Sequence, residues 1–207
     1  GLAVAAELGH LGIRAVVFDQ SEEGFEGPWA TTARMQTLRS PKQLSGPALG
    51  LPALTFRAWF EAQFGLAQWE ALDKIPRLQW AQYLRWYRQV LALDVRNRHR
   101  VTRVQPRADG CVELEIDNIG QVQTVCARHV ILATGRDGLG GPWVPEVALQ
   151  LPREYWAHSA DGLQDHWFVG KRVAVIGGGA SAMDAAGTAL EAGARSVDLL
   201  VRRTDLP

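Results

Sequence analysis

The stretch Lys171-Arg-Val-Ala-Val-Ile-Gly-Gly-Gly-Ala-Ser-Ala182 decides the fold. It begins as an apolar, valine-rich run of the kind a buried parallel strand shows. Three glycines open a bend, and Met183 to Glu191 reads as a helix closed by Gly193. Val197-Asp-Leu-Leu-Val201 then supplies a second strand about 20 residues beyond the bend, the context that gives a glycine fingerprint its meaning. Gly177 suits the tight turn, Gly179 lets backbone approach a pyrophosphate, and Ala182 is small enough for helix and strand to pack closely. The helix start turns unsatisfied N–H groups and the positive end of its dipole toward the phosphates. The competing reading is a glycine-rich strand–helix turn that holds nothing.

Which nucleotide the bend would hold turns on the end of the second strand. A carboxylate there favours the free ribose of NAD, whereas cations favour the 2′-phosphate of NADP. The sequence reads Val201-Arg202-Arg203, and each guanidinium can meet phosphate through two donors, so NADP(H) is the expectation. Otherwise the two arginines simply begin a basic surface loop. Asp198 falls inside the strand, too early to reach a ribose.

The same pattern opens the chain. Gly1-Leu-Ala-Val-Ala-Ala-Glu-Leu-Gly-His-Leu-Gly12 is helix-like, and Ile13-Arg-Ala-Val-Val-Phe-Asp19 is a strand ending in an acid, followed by Gln20. Gly1 to Gly12 and Ala182 to Gly193 span the same interval, which points to duplication at domain scale. Asp19 favours an unphosphorylated adenosine ribose, as FAD or NAD would present, against the reading of an ordinary loop acid.

Between the two units, residues 21–55 read as a long Gly/Pro/Ser/Thr-rich loop of a length that ordinary connections rarely have. Phe56, Trp59, Phe60, Phe64, Trp69, Trp80, Tyr83, Leu84, Tyr87 and Leu91 recur at helical spacing on two helices separated by Pro76. Core packing is their plain reading and a pocket wall the other; the interleaved Arg77, Arg85 and Arg88 read as a solvated face. Three period-two strands follow, at Val101–Val104, Cys111–Ile116 and Gln121–Val125, with turn chemistry at Asp117-Asn-Ile-Gly120. His129–Ala133 reads as a buried strand running into Thr134-Gly135. The expected fold is α/β: two Rossmann-like βαβ units with parallel sheet and a small antiparallel β-meander between them. The first domain is expected over 1–145 and the second over 146–207.

Composition narrows the function classes. The 207 residues are 47% hydrophobic with 22 basic and 22 acidic side chains, so no net charge draws the chain to nucleic acid or an anionic membrane. No run of about 18 apolar residues exists to span a bilayer. Two cysteines, Cys111 and Cys126, make neither a disulfide scaffold nor a CxxC dithiol centre. A hairpin at Asp117–Gly120 would set them face to face, but a reducing cytoplasm is the inferred compartment and free thiols the expectation.

Gly1-Leu with Asp19, Gly27-Pro-Trp29, Ala133-Thr-Gly135 and Gly170-Lys-Arg-Val-Ala-Val-Ile-Gly-Gly-Gly-Ala-Ser-Ala182 together resemble the flavin-containing monooxygenase-like branch of the two-dinucleotide-binding-domain flavoproteins. The resemblance implies an FAD domain whose first strand and first two glycines precede Gly1, and an NADP(H) domain that continues past Pro207. It implies that Gly1, Asp19 and Gln20 serve FAD pyrophosphate and ribose, that Trp29 lies near the flavin, and that Val101 meets adenine through its backbone. Thr134 and Gly135 would mark the passage between domains, and Gly177, Gly179, Ala180, Ser181, Ala182, Arg202 and Arg203 the NADP(H) side. The implied activity is an NADPH-oxidising oxidoreductase acting on a small-molecule substrate and O2 through a C4a-hydroperoxyflavin, with no catalytic side chain assigned. A flavin reductase without oxygenation and a non-catalytic redox module are the alternatives. One departure weakens the monooxygenase branch. Of its FxGxxxH element only His158 is kept, with Pro152 in place of Phe and Glu154 in place of Gly. His158 reads as a base or, more plainly, as a side chain that orients the linker.

Overall fold

A computed structural model describes residues 1–44, 46–135, 138 and 140–202. The chain divides into two compact units, one of Gly1–Ala30 with Thr37–Arg136, the other of Thr31–Gln36 with Asp137–Pro207. Its content is mixed α and β.

In the first unit, α1 (Leu2–His10) starts at Gly1 and leads to β1 (Val17–Phe18), which pairs in parallel with β2 (Val95–Arg96). The strand expected from Ile13 to Asp19 shrinks to two residues because its partner in the ladder is only two residues long. Three helices carry the aromatic run: α2 (Phe56–Phe64), α3 (Leu66–Ala71) and α4 (Arg77–Val90). Thr55 caps α2, its Oγ1 accepting the Ala58 N–H at 3.1 Å. Two helices were expected around Pro76; Gly65, at φ 85°, ends α2 and splits the first into two. Pro76 sits at the start of α4, where its missing N–H does no harm.

These helices bury Phe56, Trp59, Phe60, Trp69, Tyr83 and Tyr87 in one cluster. Phe56 and Tyr83 meet edge to face with centroids 5.5 Å apart, and Tyr83 donates its hydroxyl to Leu54 O at 2.8 Å. Burial, and then the neighbouring Tyr87, push the Tyr83 hydroxyl far above the usual phenol range. Most of the aromatic run is therefore core, with Phe64 at its exposed edge.

The meander forms as β3 (Arg100–Pro106), β4 (Val112–Asn118) and β5 (Gln121–Ala127), antiparallel in that order. Leu114 and Ile116 turn inward from β4. Asn118 pairs with Gln121, so the loop proper is Ile119-Gly120, with φ of 52° and 83°. Two positive φ values in a two-residue hairpin mark a type I′ turn. Gly120 is thus the second loop residue rather than the last of a turn begun at Asp117, although Asp117 Oδ1 still accepts its N–H at 2.7 Å.

Two expectations are overturned here. Residues 129–133 form no strand; Ile131 and Leu132 are 56% and 74% exposed. An apolar run becomes a strand only where a neighbour completes its ladder, and among the described residues none does. Cys111 and Cys126 are joined in a disulfide, with Cα atoms 6.0 Å apart. The hairpin brings them within the ordinary span of such a bond, and proximity overrides the free-thiol expectation drawn from an inferred compartment.

The second unit holds a short α5 (Glu146–Leu149), then β6 (Arg172–Ile176), α6 (Ala180–Glu191) and β7 (Ser196–Leu200). β6 and β7 pair in parallel from Arg172↔Ser196 to Ile176↔Leu200. Residues 172–200 are therefore strand, bend, helix and strand, and α6 begins three residues earlier than its sequence pattern suggests.

Candidate functional site

At the bend of the second unit each glycine meets a different surrounding. Gly177 has φ 138°, outside the comfortable range of any residue with a side chain, and donates its N–H to Leu200 O at 3.0 Å. A Cβ on Gly178 would lie 2.6 Å from Val201 Cγ1, so β7's exit passes directly against the bend. Among the described residues, nothing lies within 4 Å of a Cβ on Gly179. The bend is thus closed on the Gly178 side and open on the Gly179 side. Gly179 caps α6 without any side-chain hydrogen bond, while its carbonyl accepts from Ala182 and Met183 at 2.9 and 3.2 Å.

Gly179, Ala180 and Ser181 are exposed at this helix start, and Ala182 lies behind it, 3.5 Å from where a Gly177 Cβ would be. These features fit a diphosphate: open approach at one glycine and the twelve-residue helix α6 starting behind it. Gly178 is the residue that the fingerprint reading missed. Its need for glycine comes from Val201, twenty-three positions away, and spacing rules carry no trace of that contact. Arg202 is exposed just past β7. Arg203 lies outside the described residues.

In the first unit, Gly1 caps α1 in the same manner, with no side-chain hydrogen bond, and its carbonyl accepts the Ala5 N–H at 3.0 Å. Asp19 stands at the carboxyl end of β1, where open parallel sheets bind their ligands. One of its oxygens accepts the Ser21 N–H at 2.8 Å, which aims the carboxylate. Beyond β1 and β2 lies an open groove of about 430 Å³ lined by Gln20, Glu22, Arg98, Arg100, Asp117 and Ile119. Val101 follows Arg100 on β3, where the pairing with β4 shifts register between Val101 and Arg103. Bulges of that kind re-aim backbone near binding sites.

The loop after β1 is held by a network that the sequence reading assigned to solvent. Arg88 Nη1 donates to Glu26 Oε1 at 3.0 Å and to Asn97 Oδ1 at 2.8 Å, and its side chain is only 16% exposed. Asn97 Nδ2 donates to the same Glu26 oxygen at 2.6 Å, and the Gly24 N–H to the other at 2.8 Å. A half-buried charged group needs such partners, and these four hydrogen bonds join Arg88, Asn97 and the Gly24 amide around Glu26. Trp29 is half-buried against the aromatic core, edge to face with Trp80 at 6.2 Å, and its carbonyl accepts from Arg77. Its ring thus packs on the edge of the core.

Thr134 and Gly135 are exposed, Gly135 at φ 66°. His158 Nδ1 accepts the Ala160 N–H at 3.0 Å, and its own N–H donates to Asp161 Oδ2 at 2.7 Å, so the side chain folds its own loop, as the plainer reading had it.

The sequence matches the L-lysine 6-monooxygenase/L-ornithine 5-monooxygenase family over residues 55–206. The chain belongs to that family. It is also 48% identical, over 194 residues, to the FAD-dependent urate hydroxylase of Xanthomonas campestris pv. campestris. That alignment takes in 93% of this chain and 40% of the hydroxylase, so the chain spans well under half of its relative's length. Among solved structures, the FAD-bound cadaverine monooxygenase of desferrioxamine biosynthesis from Erwinia amylovora superposes with a TM-score of 0.78 at 19% identity, over 100% of this chain and 50% of its own. The ornithine N-hydroxylase of Kutzneria sp. 744, with reduced FAD, NADP+ and L-ornithine, gives 0.69 at 21% identity, over 98% and 50%. At these identities the likeness speaks for the fold, a Rossmann-type α/β framework of the flavin monooxygenase kind. The monooxygenase-like resemblance drawn from the glycine fingerprints and Asp19 thus holds at the level of family, despite the departures around His158.

Proposed function

We propose that this chain forms the cofactor-binding framework of an FAD- and NADPH-dependent monooxygenase whose substrate is urate or a closely related small heterocycle, with O2 as the second substrate. The bend at Gly177–Gly179 carries the reading: it is packed shut at Gly178, open at Gly179, and backed by the start of α6. In this reading Gly177, Gly179, Ala180, Ser181 and Ala182 hold the NADP(H) pyrophosphate, with Arg202 and Arg203 on the 2′-phosphate. Gly1 holds the FAD pyrophosphate, Asp19 and Gln20 the ribose, and Val101 offers backbone to adenine. Thr134 and Gly135 form the passage between an FAD domain over 1–145 and an NADP(H) domain over 146–207.

When bound, the flavin supplies the redox chemistry, accepting hydride from NADPH and activating O2. The chain's own residues anchor phosphates, aim the ribose and exclude water. None of them needs to be an acid or base. Trp29 bounds the flavin side with one edge while the other stays on the aromatic core. Urate is favoured over the amines of the other relatives because the 48% identity to a urate hydroxylase extends over nearly the whole chain. The protein works in the cytoplasm in this reading, where the Cys111–Cys126 bond is open to reduction.

The test is NADPH oxidation by the purified full-length protein with urate, L-ornithine or L-lysine, under isotopically labelled O2. Urate should speed NADPH consumption and one labelled oxygen should enter the product. NADPH oxidation that no substrate accelerates, with no label in any product, would make the protein a flavin reductase instead.

A further inference from the structure

Ile119 is placed where the fold gains nothing from it. It is the first residue of a two-residue type I′ loop, at φ 52°, a conformation in which a β-branched side chain is crowded and Asn or Gly is at ease. It is also 72% exposed, so it repays that crowding with no core burial. Residues held in such sparsely populated conformations cluster at ligand sites. The side chain lines the groove past the carboxyl ends of β1 and β2, beside Gln20, which follows Asp19. A second residue of the same wall, Arg98, is also left-handed, at φ 59°, and is tied to Glu22 by an ion pair of 2.7 Å. Its N–H donates to Ser21 O at 3.0 Å, which couples the wall to the turn that aims Asp19. The groove therefore offers one apolar surface, Ile119, in a rim otherwise made of charged and amide groups.

We propose that Ile119 is an apolar clamp on the purine base of the nucleotide whose ribose Asp19 holds, making the β4–β5 hairpin tip a determinant of base affinity. The inference rests on the dinucleotide reading of the first unit and adds to it a residue whose role is binding rather than folding. A flat base laid on Ile119 would cover the exposed isoleucine and make use of its strained position.

Two substitutions separate binding from folding. Ile119→Asn turns the loop into an Asn-Gly pair, the favoured type I′ sequence. It should raise the melting temperature of the flavin-free protein while weakening FAD and AMP alike by about tenfold, or about 1.4 kcal/mol. Ile119→Leu keeps the apolar surface and should bind both within about twofold of wild type, since most of the buried area is retained. AMP and FAD are titrated against full-length protein, with melting curves recorded in parallel. An Ile119→Asn protein that binds both nucleotides like wild type overturns the clamp, as does weakening confined to FAD, since the base is common to both. A lower melting temperature for Ile119→Asn overturns the argument from strain. Wild-type protein that binds neither nucleotide overturns the underlying site itself, an outcome distinct from the others.

Discussion

Gly178 and Gly179 are neighbours in sequence and opposites in surrounding, and that difference separates folding from binding. An added methyl at 178 strikes Val201 Cγ1 at 2.6 Å, whereas at 179 it points into open space. Overpacking of the first kind costs about 1–3 kcal/mol. Gly178→Ala should therefore lower the melting temperature and, by moving β7 away from the bend, also weaken NADPH. Gly179→Ala should leave the melting temperature unchanged, because φ −90° and ψ 172° suit any L-residue, and should still raise the KM for NADPH several-fold by crowding the phosphate. Melting curves and NADPH kinetics on the two variants check this pair. Equal melting losses in both would remove the distinction. The glycine run made the bend legible in the sequence, since strand, glycines and helix follow one another locally. Which glycine packs and which one binds was not legible, because the deciding atom belongs to Val201.

Elements were readable in proportion to how locally their partners are encoded. The β6–α6–β7 unit carries its own partner strand within thirty residues, and the meander carries its own turns, so both emerge in the expected order, with α6 starting earlier and the β4–β5 turn tighter than their patterns suggest. The run 129–133 has strand composition but no ladder partner among the described residues, and composition alone cannot hydrogen-bond. Arg88 was misread for a related reason. Its partner Glu26 lies 62 residues away and Asn97 beyond the helix's end, and helical periodicity says nothing of either. The cysteines were misplaced as well as misjudged: the two-residue turn shifts the register so that Cys126 lies opposite Glu113, and the disulfide joins it diagonally to Cys111. The disulfide closes a separation of 15 residues, for which chain entropy suggests up to about 3 kcal/mol. Reductant should therefore lower the melting temperature of wild type and leave a Cys126→Ser variant unaffected. An identical melt with and without reductant would show that the hairpin holds without the crosslink.

At the scale of the molecule, each unit presents a helix start beside a parallel strand, α1 with β1 and α6 with β6, and the N-cap of each is glycine. Family membership and this repeated geometry lead to the same account, in which one start holds FAD and the other NADP(H). Among the described residues no helix is long and apolar enough to cross a membrane. In the proposed function both starts grip diphosphates and hydride passes from one cofactor to the other. The most direct measurement is the visible flavin absorbance of the full-length protein, followed anaerobically after NADPH is added. A flavin band that bleaches on mixing, with NADH acting far more weakly, is the predicted result. A colourless protein that takes up no FAD, or a bound flavin that NADPH leaves oxidised, would contradict it.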